Sequence, residues 1–401
     1  MKSILVYNLS AVAMLFIQAS VLEAFTIAPD FGKLKAKINN HKSSLLDSLE
    51  TQHDNFSLTA VRAPLKFVGP YPCLGLRFPN LATRSQKARN VTGVSLDFVL
   101  DTAANTNTIN AQVAQELSLE VVGSALPGVS SAGMITGGDT FVLGDAQLEG
   151  IGGDNSFTFI QNLSASALPI ASPASAGLLS LAFFHCFEGG VEFEWGSPTK
   201  FLDGMLQNPP SITFYGENDN MHHILKDMTR VCIHPIPVTQ LPSVIIEING
   251  VQMPALLDSG SPITVLNSKA ASQAGVETIE LVSERTSKKS LNPFAAIGER
   301  IKEAQSVAQA SARGDVLTIA GTHGRPVNLL KSKSEAKLSL VGGDGEDVDF
   351  GSRSIYVGEI PGLAALNGIG VDSPPAVVLG MDVLRSRPKM LLRARDNELY
   401  F

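Results

Sequence analysis

The sequence predicts a mostly β chain built from two pseudo-symmetric lobes, and three landmarks that each occur twice predict it. The first is an acid, a hydroxyl and a small residue launched from an apolar run. It reads Phe98-Val99-Leu100-Asp101-Thr102-Ala103-Ala104, and again Ala255-Leu256-Leu257-Asp258-Ser259-Gly260-Ser261. The second is an apolar segment leading into a short helical stretch, Gly177-Leu178-Leu179-Ser180-Leu181-Ala182-Phe183-Phe184 and Val377-Val378-Leu379-Gly380-Met381-Asp382-Val383-Leu384. The third pairs Ser211-Ile212-Thr213-Phe214-Tyr215 with the terminal Glu398-Leu399-Tyr400-Phe401. A single Asp-[Ser/Thr]-[Gly/Ala] tripeptide is expected by chance roughly once or less in such a chain, and most are ordinary turns or helix caps. Three landmarks repeated in one order mark an internal duplication.

Each element follows from local pattern. Phe67-Val68 and Cys73-Leu74-Gly75-Leu76 read as the opening strands of the first lobe. Val94 to Leu100 alternates and then turns fully apolar, as a strand entering a core does. Thr108-Ile109 after the first motif and Ile263-Thr264-Val265-Leu266 after the second complete a strand, a tight turn and a second strand. In the Gly-rich stretch from Ser130 to Gly153, Gly137-Gly138 before Asp139-Thr140-Phe141-Val142-Leu143 favours a hairpin, because both glycines reach positive φ freely. The second lobe opens on Ser243-Val244-Ile245-Ile246-Glu247-Ile248, turns at Asn249-Gly250 and returns through Val251 to Leu257, delivering Asp258. From Ser283 to Gly314 the chain turns helical, with Glu299, Arg300, Lys302 and Glu303 near Ile301, Ala304 and Val307. This insertion lengthens the interval between the second lobe's landmarks. Leu317-Thr318-Ile319-Ala320-Gly321 with Gly324 is a second candidate hairpin. The expected divisions are residues 64–218 for the first lobe, 219–241 for a polar connector and 242–401 for the second lobe.

Asp258-Ser259-Gly260-Ser261 resembles in full the motif of aspartic proteases of the retropepsin-like and pepsin-like fold. Asp101-Thr102-Ala103-Ala104 resembles it except at Ala103, where the family usually has Gly. Val377 to Leu384 is similar to the hydrophobic-hydrophobic-Gly segment that members thread behind the catalytic turn. In the first copy Ser180 stands at the Gly position and Ala182 at the Asp position. The resemblance implies two retropepsin-like closed β-barrel lobes in an acid protease fold. It implies an aspartic-type endopeptidase with Asp101 and Asp258 as the dyad, Thr102 and Ser259 bracing the turns, and Ala103 and Gly260 beside the carboxylates. It further implies a peptide or protein substrate, no cofactor and a monomeric catalytic unit. A flap would lie near Ser130 to Gly153; it lacks the tyrosine of pepsin-like enzymes and is closer to a retropepsin. The competing expectation is a catalytically inactive retropepsin-like module that binds peptides.

Peptide hydrolysis without a covalent intermediate requires an activated water and a polarised carbonyl. Two adjacent carboxyls cannot both ionise readily, so they share one proton and titrate as a pair. The ionised member takes a proton from water and the neutral member donates to the carbonyl. A small third residue lets its N–H approach the carboxylate. If Ala103 required positive φ or very close packing, its methyl would cost about 1 kcal/mol or more; at negative φ it is tolerated.

Composition narrows the classes. The net charge is −7 and no Lys/Arg cluster with interleaved aromatics occurs, which argues against nucleic-acid binding. Cys73, Cys186 and Cys232 are too few and too spread for a disulfide framework or a metal knuckle. His222-His223 reads as a solvated pair, and Gly342-Gly343-Asp344-Gly345-Glu346-Asp347 lacks the full ligand spacing of an EF-hand loop.

Residues 1–24 read as a signal peptide: Lys2, an apolar stretch to Ile17, then Ala19, Ser20 and Ala24. The stretch is too short and interrupted for a membrane span, so no membrane association is expected of the mature form. Leu22-Glu23-Ala24-Phe25-Thr26-Ile27-Ala28-Pro29 resembles the junction of bipartite plastid presequences, where an aromatic follows the cut. Plastid routing is thus expected, with the secretory pathway as the alternative; there Asn55, Asn90 and Asn162 would be glycosylation acceptors. Residues 25–63, with Lys33, Lys35, Lys37 and Lys42, read as a transit segment, a basic pro-segment or a solvated linker.

Overall fold

The computed structural model describes residues 60–124, 128–130, 133–135, 138–150, 158–168, 175–196, 201–202, 205–206, 208–216, 219–279, 307–320, 326–370 and 372–401. The presequence, residues 25–59 of the pro-segment, residues 283–306 of the insertion and residues 136–137 and 321–325 lie outside them. The hairpin expected at Gly137-Gly138 reverses earlier, between Ser130 and Gly133: Val121–Ser124 pairs Asp139–Leu148 and Gly128–Ser130 pairs Gly133–Ile135.

The first lobe is a closed β-barrel. Tyr71–Phe78 pairs Val94–Leu100, which pairs Gly177–Leu179, then Thr108–Asn110, Ile160–Leu168 and Asp139–Leu148. That last strand pairs back onto the first, with Leu76 opposite Leu148, closing a ring of six. Closure leaves these strands without an open edge. Leu74, Leu76, Phe78, Phe98, Leu100, Ile109 and Leu179 fill the interior and are almost wholly buried. Such residues contribute roughly 1.5–3 kcal/mol each on burial. The apolar end of Val94–Leu100 therefore anchors the turn that follows it.

The second lobe repeats the strand order around its motif, but among the described residues its strands form an open sheet running from Val316–Ala320 to Val348–Arg353, so the expected second closed barrel is not formed. Pro242–Ile248 and Val251–Leu257 form a hairpin whose turn residues, Asn249 (φ 50°) and Gly250 (φ 83°), both take the positive φ such a two-residue turn needs. Val251–Leu257 then runs parallel to Val377–Leu379, as Val94–Leu100 runs parallel to Gly177–Leu179. Residues 307–312 are helical, at the end of the expected insertion.

A six-stranded sheet joins the lobes in the order Arg230–Cys232, Glu398–Tyr400, Lys389–Arg393, Gly190–Glu194, Ser211–Tyr215, Val61–Val68. The pseudo-two-fold passes between the two central strands, where Val191 faces Leu392 and Phe193 faces Met390. Ser211–Tyr215 and Glu398–Tyr400 thus hold equivalent places, the structural meaning of the third landmark. Lys389 ties the seam, reaching Glu192 at 3.0 Å and Glu194 at 2.8 Å. Residues 219–241 are more than a connector. Arg230–Cys232 is the outer strand of the joining sheet, and His234–Pro235 pairs Pro242–Ile248. Likewise Val61–Val68 begins three residues before position 64.

Each lobe's strand after the motif ends in an asparagine that caps a helix. Asn110 accepts from the N–H of Gln112 at 3.0 Å, and Asn267 from that of Ala270 at 2.7 Å. Asn267 does more, although no part of it is exposed. It also accepts from Ala376 N–H at 3.2 Å and donates to the carbonyls of Gly368 at 3.0 Å and Pro374 at 2.8 Å. Asn267→Ala would leave those groups buried and unpaired, and we expect a loss of about 3 kcal/mol in urea unfolding. Asn110→Ala, losing a cap alone, should cost about 1 kcal/mol.

Candidate active site

The two acids are set by matched backbone bonds. The N–H of Asp101 donates to the carbonyl of Leu179 at 2.9 Å, and that of Asp258 to Leu379 at 3.1 Å. Leu181 N–H donates to Ala104 at 2.8 Å, and Met381 N–H to Ser261 at 2.9 Å. Each turn is therefore pinned at both sides by the segment threaded behind it.

The departures at Ser180 and Ala182 compensate one another. In the second lobe, Gly380 N–H donates to Thr264 Oγ1 at 3.0 Å, and that hydroxyl donates to Asp382 Oδ1 at 2.7 Å. A Cβ at Gly380 would lie 2.3 Å from the Ile263 carbonyl oxygen, so glycine is required there. In the first lobe, Asn107 replaces the relay with one side chain. Its Oδ1 accepts from Ser180 N–H at 3.0 Å and from the Ser180 hydroxyl at 3.1 Å. With the amide supplying the acceptor, no acid is needed at Ala182.

Thr102 and Ser259 lock the turns together across the pseudo-two-fold. Thr102 N–H donates to Ser259 Oγ and Ser259 N–H to Thr102 Oγ1, both at 3.0 Å. The Thr102 hydroxyl donates to the Leu257 carbonyl and the Ser259 hydroxyl to the Leu100 carbonyl, both at 2.7 Å. Both residues are fully buried. Every donor has a mirror-placed partner, so neither turn slides without breaking bonds worth about 1 kcal/mol apiece.

The brace brings the acidic tips together. Asp101 Oδ1 accepts from Ala103 N–H at 2.8 Å. A Cβ added at Gly260 would lie 2.6 Å from Asp101 Cγ and Oδ2, so the Asp101 carboxyl rests on the opposing turn. Asp258 is 2% exposed. Burial pushes the Asp101 carboxyl up to about 6, against the pull of the Ala103 and Ala104 N–H groups. Asp258 is raised well above its ordinary value of 3.8, by burial first and then by the charge of Asp101. The pair therefore loses its two protons in separate steps and holds one between them in the interval.

Ala103 is absent from the residues with positive φ, as is Gly260, so the position demands space rather than a left-handed backbone. Ala103 is 5% exposed and packs in an apolar cluster with Leu241 and Leu256 of the second lobe.

All six residues singled out in the sequence, Asp101, Thr102, Ala103, Asp258, Ser259 and Gly260, meet here. Asn107, Thr264 and Tyr71 were not singled out, although the paired departures at Ser180 and Ala182 signal that something compensates. Two lobes related by a pseudo-two-fold rotation that meet at paired acidic turns define the fold. It is the acid protease fold.

No family model matches this chain, and no curated protein does. Among solved structures, the chain is similar to conglutin gamma, a basic 7S globulin from lupine seeds. Identity is 10% over 86% of this chain and 94% of that one, with a TM-score of 0.43. It is also similar to basic 7S globulin from soybean, at 12% identity over 86% and 96%, TM-score 0.42. A third similar structure, edgp, is 12% identical over 87% and 96%, TM-score 0.37.

Proposed function

We propose that the chain is an aspartic-type endopeptidase acting on peptides or proteins, with Asp101 and Asp258 as its dyad. The observation that supports this most is the pair of buried carboxyls, both held above the ordinary carboxylate range, on mutually braced turns. In this reading ionised Asp101 takes a proton from a water lying between the carboxyls. The water oxygen attacks the peptide carbonyl carbon while protonated Asp258 donates to the carbonyl oxygen. On collapse of the tetrahedral diol, Asp101 passes its proton to the departing nitrogen and Asp258 recovers one from a diol hydroxyl. No cofactor enters the scheme, and one chain holds both acids. The presequence reading places the reaction in a plastid or, alternatively, along the secretory route.

The test is digestion of a mixed peptide library by the purified protein, read by mass spectrometry between about pH 4 and pH 8. Internal cleavage suppressed by pepstatin is expected. Peptides left intact throughout that range would reject the proposal. The Ala103 methyl favours a second reading, a cleft that holds peptides without cutting them. Under that reading the wild-type protein binds library peptides intact.

A further inference from the structure

Tyr71 has no place in the chemistry above, yet the fold sets it beside the dyad. Val61–Val68 and Tyr71–Phe78 are joined by Gly69 and Pro70, with Val68 opposite Tyr71 and Gly69 at φ 61°. Tyr71 stands between Pro70 and Pro72, which hold the corner's backbone stiff. On the neighbouring strand Cys73 faces Val99, the last pair of that ladder, and continuing its register two residues brings Tyr71 level with Asp101. The same construction in the second lobe, from Ser243 opposite Leu256, brings Leu241 opposite Asp258. The equivalent places therefore differ in kind: a half-buried phenol flanks Asp101, and a buried aliphatic side chain flanks Asp258.

Among the described residues the Tyr71 hydroxyl has no hydrogen-bond partner. Burial raises its phenol, and the charges of Asp258 and then Asp101 raise it further, so it is a neutral donor that feels both acids. The other charged groups near this hairpin are engaged elsewhere. Lys66 binds Asp97 at 2.8 Å and Glu149 at 2.5 Å, Arg385 lies over the Phe67 ring at 4.1 Å, and Asp382 accepts from Thr264.

We propose that Tyr71 is a positioning residue of the dyad, its hydroxyl donating to the water between Asp101 and Asp258 and favouring the state in which Asp101 is the ionised partner. This rests on the endopeptidase reading for the use made of that water. Leu241 offers no donor on the other side, so the pair decides which acid serves as base.

The experiment is a carbon-13 NMR titration of the aspartate carboxyls in the wild-type protein and in Tyr71→Phe. The variant removes one oxygen, and thermal unfolding checks that it folds. The Asp101 midpoint should rise by about one pH unit in the variant, and kcat should fall about tenfold while KM holds. An unchanged Asp101 midpoint overturns the inference. A shifted midpoint in a protein that cleaves no peptide leaves Tyr71 its role and rejects the protease reading. Cleavage with an unmoved midpoint does the reverse.

Discussion

Asp101→Asn is expected to lower peptide cleavage by about 10³-fold or more and, at pH 7, to make the protein more stable. Both effects come from one carboxyl. In the unfolded chain it titrates near 3.8, and in the folded protein burial holds it near 6. Because the folded value is the higher, its stabilising share is complete below pH 3.8 and is lost as pH rises through 6. Each pH unit of that difference is worth about 1.4 kcal/mol, so the ionised carboxyl costs about 3 kcal/mol at neutral pH. Asparagine does not ionise and keeps the oxygen that accepts from Ala103 N–H. Urea unfolding at pH 7 should favour the variant by about 3 kcal/mol, and the gain should vanish toward pH 3.8. A variant no more stable than wild type at pH 7 would mean that Asp101 is not desolvated as described.

Gly260→Ala carries the second large effect. The added methyl meets Asp101 Cγ and Oδ2 at 2.6 Å and Oδ1 at 2.8 Å. The carboxyl has nowhere to retreat, since its backbone is tied to Leu179 and its Oδ1 to Ala103. Overpacking of this kind costs about 1–3 kcal/mol, and a displaced base should lower kcat/KM by about 10²-fold. Ala103→Gly runs the other way. It removes one methyl from the apolar cluster shared with Leu241 and Leu256, so cleavage should persist. Wild-type kcat/KM in Gly260→Ala would contradict the packing of Asp101 against the second turn.

The duplicated acidic turns were legible because each joins an apolar strand to a polar tip, a pattern that shows in a few residues. The hairpin at Asn249-Gly250 was legible for the same reason, its turn chemistry being local. Asn107 was not, because its partner Ser180 lies far along the chain and only the threading of Gly177–Leu179 between strands brings them together. Arg230–Cys232 escaped notice because three residues are too few to show alternation, and its partner is the chain's last strand. Tyr71 depends on register, which a single strand's pattern does not display. Ala103 raises two questions in the sequence, φ and close packing, and a backbone outside the positive-φ region leaves only the packing.

In the proposed reaction two buried carboxyls hold one proton between them and use it on a peptide bond. The pH dependence of kcat/KM reads that proton, because each limb reports its loss or gain. A rise in activity with its acid limb near pH 6, followed by a fall at higher pH as Asp258 ionises, is the result expected. Cleavage with a flat profile, or with its acid limb at the ordinary carboxyl value of 3.8, would contradict it.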